Sequence, residues 1–462
     1  MKRHRSLTRT AALATTLALG LTLTACASGG GDAGSGDDKP LTLWTFKQTH
    51  ATALEKTAED FKAKTGITVK VQAITPDDAF VTKTQAAAKT GDFPDLLEVH
   101  SRGEDFTFGA AGLLENLADK ITPEWDKNYL ESVRNEGTVT AADFKSSQET
   151  GSKIAGVEEG QRLSVPLTIG TFGIVYANKE RLAAAGITEA PKTWEDFIAA
   201  LDAVKKTNPD NGGVTIGLKS PSTGLEWLMQ PMGFGELGKE PFEALFKDDK
   251  SKNWSSANGT KVLSEYNKIT PYWMPGSQTL DIDQADLSFA QGKSSFLVGG
   301  TFTLSFLHQN GFDTDNLMTF PVPPPADGAV TDLALAPFSL TGLSLSSASK
   351  NKDAALKFIE FVSEPENAKK FSTNALDLAP VDLGADPSTE VGPVLGAMMA
   401  AFGEAGPNTY NPGDTSYRPN QYDPGDVGAL LMNMTPLAQT DPAQTGAKMA
   451  ELIDSYWATQ KG

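Results

Sequence analysis

Cysteine is nearly missing: 462 residues contain one, Cys26. A single thiol forms no intrachain disulfide and no Cys-His metal set. Histidine is scarce too. Beyond His4 there are only His50, His100 and His308, with no His-Glu-x-x-His pair, which argues against a transition-metal enzyme. No Gly-x-Ser-x-Gly elbow occurs. Gly292-Lys293-Ser294 has Leu287 where a phosphate loop needs glycine. Asp281, Asp283 and Asp286 suggest a calcium loop, but its sixth position is not glycine and its twelfth is Gly292. No metal, cofactor or catalytic residue is expected. Positive charge is short, with 40 Lys and Arg against 58 Asp and Glu and a net charge of -18. So acidic a chain repels nucleic acid and anionic headgroups. Its many acids also guarantee chance carboxylate pairs, so a secreted carbohydrate-active enzyme stays open as a reading. After the first 25 residues no run is apolar enough to span a bilayer, which needs roughly 20 apolar residues.

What is present begins with Lys2, Arg3, Arg5 and Arg9, then an apolar, threonine-dotted stretch from Ala11 to Leu23. A basic segment, a short apolar core and small residues make a secretory signal over residues 1–25. Leu23-Thr24-Ala25-Cys26 resembles the lipobox of bacterial lipoproteins, which implies cleavage before Cys26 and lipid on that cysteine. Without residues 1–25, which carry four basic groups and no acid, the charge falls from -18 to -22. Residues 26–40 are dominated by Gly, Ser and Asp and read as a flexible tether with a reach of roughly 20 Å. The remaining length favours two domains or lobes.

The folded body opens with Leu41-Thr42-Leu43-Trp44-Thr45-Phe46, a β-prone run. Ala51, Leu54, Ala58 and Phe61 recur at helical spacing before Gly66, and Val69 and Val71 alternate with polar residues beyond it. Strand, helix, strand predicts a βαβ unit and a parallel sheet. Asp95 to Val99 reads as the next strand, and residues 121–160 as irregular helical insertions. Leu163 to Tyr176 is β-branched and apolar but interrupted by Pro166, Gly170 and Gly173, which suits a strand that bends or crosses between lobes. Thr193 predicts a helix N-cap with Asp196 in the capping-box position, and Ser363 with Glu366 predicts another. Trp44 and Trp194 are expected in the core.

Four ordered stretches resemble the extracellular solute-binding proteins that feed ABC importers, in particular the carbohydrate-binding group related to maltose-binding protein. They are Leu41 to Phe46 with Phe61 to Val69; Gly91 to Asp95 with Gly112 to Leu117; Val165-Pro166 through Lys179 to Phe197; and Phe289 to Gly300 with Leu343 to Ser346 and Asn351 to Phe371. The resemblance covers roughly residues 40 to 380. It implies a two-lobed α/β periplasmic-binding-protein-like fold. The N-terminal lobe would be residues 41–168 and 342–378, and the C-terminal lobe 172–337 and 382–462. Hinge strands would cross at 168–172, 338–342 and near 380. In this chain Ala177 separates Tyr176 from Asn178-Lys179, where the family places tyrosine next to the pair, so alternation is expected to turn Tyr176 to the core.

A sugar needs paired donors and acceptors for its hydroxyls and aromatic rings for its C–H faces. The candidates at the ends of the expected strands are Phe46, Gln48, Glu98, His100, Ser101, Arg102, Thr301 and Phe302. Trp227, Trp273, Asp414 and Tyr417 come from later stretches, the last two from a segment rich in tyrosine, proline and glycine that also holds Arg418. The resemblance implies capture of a sugar, an oligosaccharide in the first instance, between the lobes of a monomer, and delivery to the transmembrane subunits of an ABC permease. The protein would be held by lipid on the extracellular side of the membrane. A polyol phosphate or a peptide is the alternative solute.

Overall fold

The computed structural model describes residues 39–461, except 385 and 405. The segment expected to be a signal, Cys26, and nearly all of the segment expected to be a tether lie outside the described residues.

Leu41–Thr45 forms strand β1 because its alternate residues Leu41, Leu43 and Thr45 are buried while Thr42 and Trp44 are half-covered. The helix Gln48–Thr65 follows and buries Ala51, Leu54, Ala58 and Phe61. It ends at Gly66, whose φ of 77° a side chain would resist and whose N–H closes on the Lys62 carbonyl. β2 (Val69–Ala73) returns parallel to β1, and β3 (Leu96–His100) lies parallel on its other side. β4 (Val165–Gly170) completes this sheet through β10 (Phe338–Leu345), which runs antiparallel to both β3 and β4. The order is β2-β1-β3-β10-β4.

β5 (Phe172–Asn178) starts two residues after β4 ends but belongs to a second sheet. There β6 (Val214–Thr215), β7 (Phe296–Gly300), β5 and β8 (Leu317–Pro321) stand in that order. The stretch read as one bending strand is therefore two strands in two sheets, with Thr171 between them. β9 (Ala334–Leu335) and β11 (Thr409–Tyr410) form a short parallel ribbon. The chain also touches the first crossing near residue 380, where Leu378 bridges Ile169. Tyr176 is fully buried and donates its hydroxyl to the Gly300 carbonyl at 2.6 Å, a core position.

Trp194 is fully buried, whereas Trp44 is only half-buried beneath the Lys83 ammonium at 4.4 Å. The Thr193 hydroxyl accepts from the Asp196 N–H and starts the helix Trp194–Thr207, whose Phe197, Leu201 and Val204 face the core. Thr193→Ala is expected to cost about 1 kcal/mol in urea denaturation; a change below a few tenths would show that the cap adds nothing. The second expected cap fails. Ser363 ends the helix Lys352–Ser363 and turns its hydroxyl back to the Glu360 carbonyl, and the next helix starts at Pro365 without a side-chain cap. Proline at the first position starts a helix by other means, since its fixed φ is already helical and its missing N–H would have had no partner there. Between 121 and 160 only Pro123–Asp126 and Ala141–Ser147 are helical.

Candidate ligand site

The ends of the strands determine where the polar and aromatic side chains meet. Phe172 opens β5 and Phe338 opens β10, so both rings stand where the chain passes between the sheets. Phe302 follows β7 by two residues. Trp227 comes from the wide helical turn Gly224–Met229. Phe172 stacks on Trp227, with centroids 4.7 Å apart and planes 13° apart. Phe338 meets Phe172 edge-on at 5.2 Å. Phe302 meets Phe172 at 6.3 Å and Trp227 at 6.0 Å, also edge-on.

Lys47, just past β1, carries the first sheet's side of the site to these rings. Its ammonium lies 5.1 Å over Phe302 and 5.8 Å from the Phe46 ring, within cation–π range. Phe46 in turn stacks on His100 at 4.2 Å. His100 Nδ1 is 2.8 Å from Glu104 and Nε2 is 3.8 Å from Asp77. Burial works against a charged His100, but the hydrogen bond to Glu104 and the nearby Asp77 raise its pKa above the ordinary 6.5. Ser101 shares a hydrogen bond of 2.7 Å with Ser339, beside Phe338. Thr301 is buried, its N–H reaches the Thr171 carbonyl at 3.1 Å, and its hydroxyl has no partner.

Beneath this layer lies a fully buried ionic group. His50 Nδ1 is 2.7 Å from Glu98, and His50 Nε2 is 3.0 Å from Asp377. The Thr45 hydroxyl donates to the other Glu98 oxygen at 2.5 Å, and Lys47 is 3.5 Å from Asp377. Burial alone would raise the Glu98 pKa, but the charge and hydrogen bond of His50 outweigh it and bring it to about 2. Glu98 also raises His50, against the opposing effect of burial.

Of the expected site residues, Phe46, His100, Ser101, Trp227, Thr301 and Phe302 gather at the crossing strands. Several do not. Glu98 is fully buried, with one oxygen accepting from the Thr45 hydroxyl and the other held by His50, so it has none left for a ligand. Arg102 leaves the strand at a φ of 60° and pairs with Asp143. Gln48 is the exposed first residue of its helix. Trp273 is buried and donates its indole N–H to Thr435 at 2.8 Å. Tyr417 packs on Phe242 and Phe246. Asp414 accepts from the Ser416 backbone and hydroxyl in a local turn. Phe172, Phe338 and Lys47 were not anticipated. A ring between Gly170 and Gly173 in a crossing stretch was the available signal for Phe172. A groove of about 430 Å³ runs along Ile187, Pro191, Ala199 and Ala203, but it shares no lining residue with the rings. Among the described residues no cluster of acids, histidines or cysteines could hold a metal ion, and no helix is long and apolar enough to cross a membrane.

The sequence profile of the bacterial extracellular solute-binding proteins matches residues 47–369. The chain belongs to this family. It has the family's two-lobed α/β fold, and solved structures share it. A protein from work on xylan utilization by Caldanaerobius polysaccharolyticus is 18% identical, with a TM-score of 0.67 over 90% of this chain and 100% of its own. A chitin oligosaccharide binding protein is 20% identical, with a TM-score of 0.64 over 92% and 100%. UgpB of Mycobacterium tuberculosis, solved with glycerophosphocholine, is 18% identical, with a TM-score of 0.63 over 93% and 100%. Curated protein sequences give no match. For a solute-binding protein, strand ends of two sheets meeting at crossing strands are where a ligand between lobes would be held.

Proposed function

We propose that this solute-binding protein captures a carbohydrate, an oligosaccharide in the first instance, at the ring cluster and hands it unchanged to an ABC permease. The observation that carries the reading is the balance of the site. Phe46, Phe172, Trp227, Phe302 and Phe338 supply five rings, while Lys47, the cation that lies over them, is paired with Asp377. Rings suit the C–H faces of a sugar. A phosphodiester or a phosphorylated polyol would call for free cations instead. The chitin oligosaccharide neighbour supports the same choice, and the glycerophosphocholine neighbour marks the alternative.

The two lobes are residues 41–168 with 342–378, and 172–337 with 382–462. Ligand bridging them favours the closed arrangement through its differential affinity. Asn420, which contacts Glu149, and Lys47 over Phe302 are links of the kind that such closure tightens. Lipid on Cys26 and the tether of residues 26–40 would keep the monomer near its permease at high effective concentration. No bond in the ligand is broken, so a binder returns its sugar intact where an enzyme would release products.

A thermal-shift screen over mono- and oligosaccharides tests the reading. A sugar at 100 times its Kd is expected to add about 2.7 kcal/mol of stability. If phosphorylated or peptidic solutes raise the melting temperature and no sugar does, the carbohydrate assignment fails.

A further inference from the structure

By its sequence the segment 410–422 reads either as a ligand loop or as an irregular surface loop, yet its largest polar side chain points away from solvent. Arg418 is 6% exposed and sits among Phe246, Tyr417 and Tyr422, whose ring centroids are 5.0–5.5 Å from its guanidinium carbon. Its Nη1 donates to Glu226 Oε1 at 2.8 Å and its Nη2 to Gln230 Oε1 at 2.9 Å. Tyr410 donates to the same Gln230 oxygen at 2.7 Å. Nothing in the solute-binding reading so far uses this group.

Glu226 and Gln230 flank Trp227. The turn that holds them, Gly224–Met229, is wider than an α-helix, and the Gln230 N–H bonds the Leu225 carbonyl five residues back. Wide turns of this kind are rare and often stand at functional sites. They persist only where surrounding contacts hold them. One side of this turn rests on β5. A Cβ at Gly173, where φ is +85°, would lie 2.9 Å from the Trp227 carbonyl oxygen. Only glycine lets the strand come so near. The Trp227 ring covers Phe172, the preceding residue of the same strand. The other side of the turn rests on Arg418.

We propose that Arg418 is a positioning residue of the ligand site: its planar fork clamps Glu226 and Gln230 across the wide turn and so fixes Trp227 against Phe172. The proposal rests on the reading that the ring cluster holds the ligand. It gives the C-terminal segment a role, since 192 residues separate Arg418 from Glu226 and only the tertiary fold joins them. Two acceptors four residues apart need two parallel donors. The guanidinium supplies them in a fixed geometry, and a lysine ammonium, a single point, cannot reproduce both. Burial makes the pair demanding on the arginine side, because loss of Glu226 leaves the buried Arg418 guanidinium without its carboxylate, whereas Glu226 keeps some exposure.

Arg418→Lys and Glu226→Gln test this in the full chain at a temperature where far-UV circular dichroism shows each folded. Amide exchange needs no ligand. Arg418→Lys is expected to speed exchange across residues 225–230 at least tenfold and leave the helix Gln48–Thr65 unchanged. Acrylamide quenching of Trp227, isolated by difference against Trp227→Phe, should rise with it. For chitotriose or xylotriose, whichever binds the wild type, Kd should weaken at least tenfold, with Glu226→Gln changing in the same direction. Unchanged exchange and quenching overturn the clamp. Faster exchange with unchanged Kd overturns its role in binding and leaves Arg418 merely structural. If the wild type binds neither sugar, the carbohydrate reading suffers, while exchange and quenching still decide whether Arg418 fixes Trp227. If Arg418→Lys does not fold, Glu226→Gln carries the test.

Discussion

His50→Ala is expected to destabilise the fold by about 3–5 kcal/mol, the cost of breaking a buried ion pair from one side. His50 lies between Glu98 and Asp377 with no exposure at all. Its removal strands the Glu98 carboxylate, which keeps only the Thr45 hydroxyl, while Asp377 keeps Lys47 at 3.5 Å. The pH dependence gives the sharper check. In the wild type the Glu98 pKa is depressed to about 2, so its contribution is present above its ordinary 4.5 and is lost as pH falls towards 2. The His50 pKa is raised, so its contribution is full below 6.5 and is lost as pH rises through the shifted value. In the variant the alkaline loss from His50 disappears. The acid loss reverses, because burial without a counter-charge raises Glu98 and protonation then relieves it. Urea denaturation from pH 3 to pH 9 measures both. A loss under 1 kcal/mol with an unaltered pH profile would mean that water or relaxation replaces His50.

Trp227→Ala is expected to do two things that Trp273→Phe does not. Both tryptophans are buried. Removing Trp227 empties the space against Phe172 and Phe302 and should cost about 3–5 kcal/mol of stability. It should also weaken a bound sugar by more than about thirty-fold, the size of a central aromatic contact. Trp273→Phe keeps a ring and loses the hydrogen bond to Thr435, so a loss of about 1 kcal/mol and an unchanged Kd are expected. Calorimetric titration alongside urea melts separates the outcomes. Equal Kd changes in the two variants would place Trp227 outside the site.

The positions of the strands were readable because burial imposes a period of two, visible in Leu41-Leu43-Thr45 and Val69-Val71. The crossing was readable in part. Glycine and proline marked the place between Leu163 and Tyr176, but not that Thr171 separates two strands of different sheets. Caps were less secure. Thr193 accepts the expected N–H, whereas Ser363 was too close to the preceding helix end and bonds backward to Glu360. At the site, residue type predicted chemistry without direction. Glu98 and His100 are two apart on one strand, but Glu98 pairs with His50 inside while His100 stacks on Phe46 nearer the surface. One more residue, or one bend at the strand end, changes what a side chain meets.

By itself the sequence determined the class of this chain. The shortage of histidine and thiol, the net charge of -18 and the ordered strand and helix patterns are local or summed properties, and such properties survive without coordinates. The tertiary structure decided which rings meet. Phe172, Phe338, Trp227 and Phe302 are far apart in the chain and converge because the strands pass between sheets at one place. It also decided that Arg418 faces Glu226 and that His50 faces Asp377, across separations of 192 and 327 residues. Contacts at that range depend on the geometry of the whole fold, and no local pattern encodes them.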